Sequence, residues 1–540
     1  MLDKMKRGWT LILLVSFFPL FGQELKDTAL SLSLEECILK TMRNNLGLAV
    51  EVLSPEIAGV AVSLAGEKFM PSLLFSYNQQ DTNAASFSFL DASQTVSTLQ
   101  NDYSAQLAQF LPMGGNLSLS INGYKTNTNR SFQSINPRFG NTLRLNFSQP
   151  LLKDFGFKMS RREIIIARNN RDISEMNFGR ALEEVIYSAK TAYWNLFYSL
   201  ENLKVRQKSM KLALDLLEKN KAEIDAGTLP PIEILTAQAD VATRKADILE
   251  AEAMVKNNED LLKTIMNLSA EEAEAEVVRI VPTDSPSVSG EEPSLDKALL
   301  TAMEKRPDLR ASRVDLNSRE FGVSYARNQL FPDLRLQASY WSPGISGDQI
   351  LYEGGNALTG KVIGRIPGGS SDALRDAVNF KYKNWSFGLT FNVPLNNLLS
   401  RALYAQARLN LKQAALQLRD QEQQIFLEIK TAVRSVQINF QRIEAYRAAR
   451  ELAEKKLEAE QEKFNVGLST NYFILQYQRD LADALIMELR AVVDYNISLA
   501  SLNRAQGTGR EEQNISAEEL IKDGQEAAGG GHAKRRLSLP

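Results

Sequence analysis

Two stretches of this chain, Ser160 to Leu262 and Ser400 to Leu502, carry one helical pattern twice, in register and without a gap. Ser160 matches Ser400, Arg168 matches Arg408, Lys190-Thr191-Ala192 matches Lys430-Thr431-Ala432, Gly227 matches Gly467 and Leu262 matches Leu502. In the first copy Leu182, Ile186, Ala189, Tyr193, Leu196, Leu200, Leu203, Gln207, Met210, Leu214 and Leu217 recur at alternating steps of four and three, a heptad seam. The second copy has its own seam in Phe426, Ile429, Val433, Val436, Phe440 and Ile443. No proline lies between Lys158 and Ala226, so at 1.5 Å per residue a helix there would run roughly 100 Å. Helices of that length are struts, and their apolar seams need neighbours.

A second correspondence links the opening of each half. Leu34, Met42, Leu48, Pro71 and Leu73 match Leu295, Met303, Leu309, Pro332 and Leu334, again without gaps. Each half is therefore expected to begin with a helix that stops at a proline and hands over to strands. In the first half Ser33 and Glu36 read as a capping box at the start of a helix running towards Phe69. From Pro71 the period changes to two: Leu73, Phe75, Tyr77 outbound, Leu117, Leu119, Ile121, and Leu143, Leu145, Phe147 on the return, each alternating mostly with polar residues. The second half repeats this with Leu334, Leu336, Ala338, Tyr340 outbound and Trp385, Phe387, Leu389, Phe391 returning. One apolar and one polar face suit a transmembrane barrel strand, and equally the face of a soluble sandwich. Tyr340, Trp341 and Trp385 fall where an interfacial aromatic girdle would sit, and Ser342 to Asn384 reads as an exposed loop beyond it. Four strands are counted per chain; Asp102 to Phe110 and Asn116 to Lys125 would add a hairpin and make six.

The struts reverse at Gly227-Thr228-Leu229-Pro230-Pro231 and at Gly467-Leu468-Ser469-Thr470-Asn471, where glycine ends one helix and proline, Ser or Thr restarts the next. The expected organisation is a signal peptide over 1–22 and a first repeat over 23–293, with strands in 71–150, a helical hairpin in 158–268 and a linker in 270–293. A second repeat over 294–507 follows, with strands in 332–395 and a hairpin in 398–506, then a flexible tail over 508–540. The signal assignment rests on Lys4, Lys6 and Arg7 before the apolar run Trp9 to Phe21, too short to span a bilayer as a mature helix. With one cysteine, Cys37, and one histidine, His532, the chain can form no intramolecular disulfide and no His/Cys zinc site. A net charge of -2 argues against nucleic acid, and no phosphate loop or nucleophile pairing stands out, so the reading is non-enzymatic and cofactor-free.

Too few strands to close a barrel cannot sit in hydrocarbon with open edges, so the barrel has to be shared between chains. Three copies would supply twelve strands, or eighteen with the added hairpin.

These features resemble the TolC-like outer-membrane efflux protein family over Leu32 to about Gly507. The likeness rests on Asn44-Asn45-Leu46 and Arg306-Pro307-Asp308-Leu309, Met70-Pro71-Ser72-Leu73 and Phe331-Pro332-Asp333-Leu334, Ser148-Gln149-Pro150-Leu151-Leu152, and the tips Ala226-Gly227-Thr228 and Val466-Gly467-Leu468, all in duplicated order. The resemblance implies a mainly α protein with a transmembrane β-barrel portion: a homotrimer whose shared barrel in outer-membrane lipid continues into a long antiparallel coiled-coil α-barrel across the periplasm. Its tips, Gly227, Thr228, Leu229 and Gly467, Leu468, Ser469, Thr470, would dock a periplasmic adaptor and an inner-membrane transporter of RND, ABC or MFS type. The resemblance would place acidic residues just after the tips, yet Phe473 and Gln476 occupy those positions in the second half and Glu233 and Thr236 in the first. The expectation is a partly apolar constriction formed by Phe473 and Tyr472, with Glu233 supplying negative charge. For Phe473 the alternative is that it packs in the coiled-coil seam, and the competing reading of the whole chain is a secreted or surface-attached structural coiled coil or adhesin.

Overall fold

The computed structural model describes residues 28–512 apart from 88–90, 92, 228–229, 269–277, 289, 291–292 and 356–360. The expected signal peptide and nearly all of the expected tail lie outside the described residues. The chain divides into two compact units interleaved in sequence: Met1–Asn45, Ser188–Gly290 and Asn439–Ile497 form one, and Leu46–Tyr187, Glu291–Ile438 and Ser498–Pro540 the other.

The first unit contains β1 (Thr28–Leu32), α1 (Leu34–Asn44), most of α3 (Arg162–Asp225), α4 (Ile232–Met266) and β6 (Val278–Pro282). It also holds the later part of α8 (Leu398–Asn465) and most of α9 (Asn471–Gln506). The capping box forms as read: Ser33 N donates to Glu36 Oε2 at 3.0 Å and Glu36 N to Ser33 Oγ at 3.2 Å. The helix it starts is shorter than expected, because Asn45 turns extended at ψ 117 and its side chain donates to the Ile265 carbonyl at 3.0 Å. A separate helix then begins at Leu46. Part of the expected linker is β6, whose parallel pairing with β1 carries Ile280 into the core.

That core gathers Cys37, Tyr193, Leu196, Leu262, Met266 and Ile280. Tyr193 is buried with its hydroxyl donating to the Leu32 carbonyl at 3.0 Å and accepting from Asp284 N at 3.1 Å, so the ring is packed and the oxygen satisfied. The α3 seam is buried as expected from Leu182 to Leu203, then departs from the heptad pattern. Two successive steps of three, through half-buried Arg206 to Ser209, lead to Ala213, Leu216 and Asn220, leaving Leu214 exposed. An extra step of three overwinds a coiled coil and turns another face of the helix inward.

The second unit contains α2 (Leu46–Glu67), β2 (Ser72–Ala85), β3 (Thr95–Phe110), β4 (Asn116–Thr128), β5 (Ile135–Pro150), the start of α3, α5 (Leu295–Lys305) and α6 (Pro307–Asn328). It continues with β7 (Asp333–Tyr352), β8 (Val362–Ile366), α7 (Ser370–Val378), β9 (Asn384–Asn392) and α8 as far as Ile438. The strands form one antiparallel sheet, β2-β3-β4-β5-β7, with β8 and β9 pairing different stretches of β7. The hairpin that the sequence left open exists as β3 and β4, giving six long strands among the described residues. Within the stretch expected as a loop from Ser342, β7 runs on to Tyr352, and β8 and α7 follow.

Arg306 explains the Arg-Pro-Asp-Leu phrase between α5 and α6. Its guanidinium donates to both Asp308 oxygens at 3.0 and 2.8 Å, to Glu428 at 2.6 Å and to the Ala505 carbonyl at 3.0 Å, tying that junction to α8 and α9. Burial alone would raise the Asp308 carboxyl; the adjoining Arg306 overcomes it and holds the group below the ordinary carboxylate range.

Cys37 supplies a test of the first unit. Its thiol is buried, 3.7 Å from Met266 Sδ, and burial pushes its pKa up to about 12. The unfolded thiol ionises from about pH 9, so this group lowers stability as pH rises from there towards 12. In the native protein a thiol reagent at pH 8 is expected to leave Cys37 unmodified, with full labelling only after denaturation. Rapid native labelling would contradict this core.

Candidate conduit, constriction and tip surfaces

The pairing register sets side chains in rows across the six long strands. One row reads Leu73, Leu107, Leu119, Leu145, Tyr340, Trp385, and an adjacent row on the opposite face reads Ser72, Ala108, Ser118, Asn146, Ser339, Ser386. Successive residues alternate faces, so one face is apolar across the whole sheet and the other is polar. Hydrogen bonds such as Ser76 to Ser104 at 2.7 Å and Ser339 to Asn146 at 2.8 Å run across the polar face. On β7 the apolar band extends from Leu334 to Gly344, ten residue steps; with the tilt of barrel strands that is about 25 Å, the height of an outer-membrane apolar band. Both edges of this band are open: β2 and β9 expose Phe75, Tyr77, Trp385 and Phe387.

Of the expected girdle, Tyr340 and Trp385 are register partners on the apolar face, and Trp385 is 74% exposed. Trp341 is elsewhere. It lies on the polar face with Arg144 over its ring at 4.8 Å, in the middle of a strand that continues to Tyr352.

Both helix reversals have the geometry of an αL helix end. Gly467 has φ 78 and the Leu468 N–H reaches back to the Lys463 carbonyl at 2.8 Å, the longer bond of a Schellman turn. A side chain at this φ would be strained, which is why glycine stands there. Ser469 Oγ donates to Glu460 at 2.6 Å, and that bond, with Lys463 nearby, holds the Glu460 carboxyl below its ordinary value. Leu468 is 79% exposed and Thr470 is exposed. Gly227 has φ 75; Thr228 and Leu229 lie outside the described residues.

After the second reversal, Ile474, Leu475 and Gln478 are buried on α9, Ile474 and Leu475 against Ala213 and Leu216 of α3, so these residues form the seam. Phe473 is 42% exposed and stands beside that seam, edge-on to Tyr472 at 5.5 Å, with Gln476 exposed one turn on. On α4, Glu233 is half-buried and Thr236 exposed.

The sequence reading missed a buried charged cluster close to these residues along the chain. Arg244 Nη1 donates to Ser209 O at 2.7 Å and Ser209 Oγ at 2.9 Å, and Nη2 to the Leu475 carbonyl at 3.2 Å. Its Nε lies 2.6 Å from Asp240 Oδ2, close as an ion pair though off line for a hydrogen bond, and Arg479 bonds the other Asp240 oxygen. Burial pulls the Arg244 pKa down, and the Asp240 carboxylate opposes it. The signal was present: in Ala237, Asp240, Arg244, Ile248, Ala251, Val255 two successive seam positions of α4 are charged. Removing one member of such a pair strands the other in a buried site, costing about 3–5 kcal/mol. Arg244→Met is therefore expected to speed hydrogen exchange in α4 and the start of α9 while leaving β3–β5 protected. Unchanged exchange throughout would show that the cluster contributes nothing.

The family model for outer membrane efflux proteins matches residues 299–508. Outer membrane protein TolC of Vibrio cholerae serotype O1 is 22% identical over 385 residues, 71% of this chain and 80% of that protein. The protein of the same name from Escherichia coli K12 is 22% identical over 359 residues, 66% of this chain and 68% of its own. Among solved structures, the Campylobacter jejuni CmeC outer membrane channel superposes with a TM-score of 0.63 at 17% identity, covering 91% of this chain and 89% of that one, a likeness of fold.

Proposed function

Because the chain belongs to the TolC-like outer-membrane efflux protein family, we propose that three copies close one conduit, each giving six strands to a shared barrel and its long helices to a tube across the periplasm. The protein is an outer-membrane channel of an efflux or secretion system with a periplasmic extension, and a passive conduit, not an enzyme.

The observation that carries the trimer is the pair of open, apolar edges. Unpaired N–H and C=O groups on β2 and β9 have no partner in hydrocarbon, and a neighbouring copy supplies one. Three copies make eighteen spanning strands, a number at which barrels leave an aqueous channel. The polar face then lines the lumen and the apolar face meets lipid, with Trp341 as a lumen residue and with Tyr340 and Trp385 on the lipid face, six steps up the ten-step band and so inside it rather than at the interfacial girdle expected of them.

Helix α2 supports the same stoichiometry. Its mean hydropathy and length would suit a membrane span. Yet Leu46, Val50, Leu53, Ile57, Val60 and Leu64 follow steps of four and three along one stripe, and all are exposed while Leu48, Val52 and Pro55 are buried on the other side. A heptad stripe beside a buried one is a seam awaiting a second helix. Ile57→Glu combined with Val60→Glu is expected to reduce the detergent-solubilised particle from three copies to one by light scattering. A double variant that stays trimeric would remove this helix from the interface.

The repeats over 23–293 and 294–507 are read as an internal duplication, so that each copy provides two helical hairpins and the trimer a ring of six. The reversals Gly227-Thr228-Leu229 and Gly467-Leu468-Ser469-Thr470 are read as the surface that meets a periplasmic adaptor and, through it, an inner-membrane transporter of RND, ABC or MFS type. The exposure of Leu468 supports this. Phe473, Tyr472 and Gln476, with Glu233 and Thr236, are read as the narrowing of the lumen, and the position of Phe473 beside the seam supports that assignment.

Single-channel recording in planar bilayers tests the conduit directly. The wild type is expected to conduct weakly, and Phe473→Ala to raise conductance by at least about twofold, as loss of a hydrophobic constriction does. Protein that inserts without forming any conducting pathway would count against the channel itself. An unaltered conductance in Phe473→Ala would confine the failure to the constriction.

A further inference from the structure

We propose that α7 is an interfacial helix lying on the lipid side of the sheet at its outer rim, where it roofs a groove filled by hydrocarbon chains of the outer leaflet. The inference rests on the reading of the sheet as membrane-spanning. The residues beneath α7 belong to the apolar face, since Tyr103, Gly123, Asn141 and Gly344 form the next-but-one row above Leu107, Leu119, Leu145 and Tyr340. This row marks the top of the apolar band; the row above it is mostly polar, carrying Asn101, Lys125 and Ser346 with Phe139 among them.

Several contacts fasten the helix there. Ser370 at its start meets the Tyr103 hydroxyl at 2.9 Å and accepts from Asn141 Nδ2 at 3.1 Å. Beyond its end Phe380 stacks on Tyr340 with ring centroids 5.4 Å apart. Ala373 and Ala377 are buried, and a Cβ on Gly344 would stand 2.0 Å from the Ala373 carbonyl oxygen, so this position requires glycine for the helix to seat. The apolar side of α7 is Ala373, Leu374, Ala377 and Val378; the other side carries Asp372, Arg375 and Asp376, with Arg375 paired to Asp372 at 3.5 Å and Lys381 to Asp376 at 2.8 Å.

A short helix with one apolar and one ionic face, held at the boundary of a lipid-facing band, has the composition of an interfacial element. Leu374 and Val378 remain 40% and 48% exposed, and beside Leu374 lies a groove of about 590 Å³ lined by Phe75, Tyr77, Tyr103, Ala105 and Ile121. The groove is continuous with the apolar band, so the phase that covers the band also enters the groove.

Nitroxide labels on the full-length trimer test this in vesicles of phosphatidylethanolamine and phosphatidylglycerol. With Cys37→Ala as background, single labels go to Leu374→Cys, Arg375→Cys and, as a control on the sheet, Leu145→Cys. The expected result is that oxygen relaxes the labels at 374 and 145 more than an aqueous nickel chelate does, with the order reversed at 375. Adding Gly344→Val should shift the 374 label towards nickel and leave 145 unchanged. A 374 label as open to nickel as the 375 label, with 145 still in lipid, would overturn the proposal alone. A 374 label shielded from both reagents would overturn it too, by showing that a neighbouring copy fills the groove. An aqueous signal at 145 as well would bring down the spanning sheet and the inference together.

Discussion

Peptide groups in hydrocarbon have no water to fall back on, and the rest of this architecture depends on that. Within the sheet β3, β4 and β5 have neighbours on both sides and β7 has them over most of its length, so the debt is largest at the outer edges of β2 and β9. Those edges carry large apolar side chains, a combination that would be an aggregation hazard in water and becomes a closure device in a membrane. The helices pose the same problem in another form. Stripes of leucine and isoleucine on α2 and α8 face outward in a single chain. A solitary copy therefore lacks partners for its backbone and for its side chains alike, and the proposed ring of copies would answer both.

The alternation of faces is the most legible part of this chain, because a period of two is short and each strand repeats it several times. Rows such as Leu73 to Trp385 could be anticipated strand by strand. The same rule separates Tyr340 from Trp341: consecutive residues of one strand point to opposite faces, so the two cannot both face the apolar side. The heptad seam of α3 was equally readable until Leu203. Beyond it, burial passes to Ser209, a polar residue held in the core by Arg244 of another helix, and to Asn220, and periodicity of apolar residues cannot find either.

Short elements were illegible for a different reason. Ser370 to Val378 is nine residues set among glycines and polar residues, too brief for propensity to announce a helix, and it forms because Gly344 and the small side chains around it leave a seat. Strand β6 is five residues long and follows an acidic stretch; its pairing with β1 depends on a segment some 250 residues earlier, with Ile280 sealing the core. The break at Asn45 likewise owes its geometry to Ile265. In each case local sequence permits the element and a distant contact selects it.

The guanidinium of Arg244 has a consequence for how the helices around it can rearrange. It is fastened at once to α3 through Ser209, to α9 through Leu475, and to its own helix through Asp240. Were α4 to slide along either neighbour by a turn, the guanidinium would keep Asp240, which travels with it, but would lose its buried hydrogen bonds to Ser209 or to the Leu475 carbonyl. Bending and swivelling as a bundle keep the bonds to Ser209 and Leu475, so the three helices are keyed to travel together, like gears that turn but do not skip a tooth.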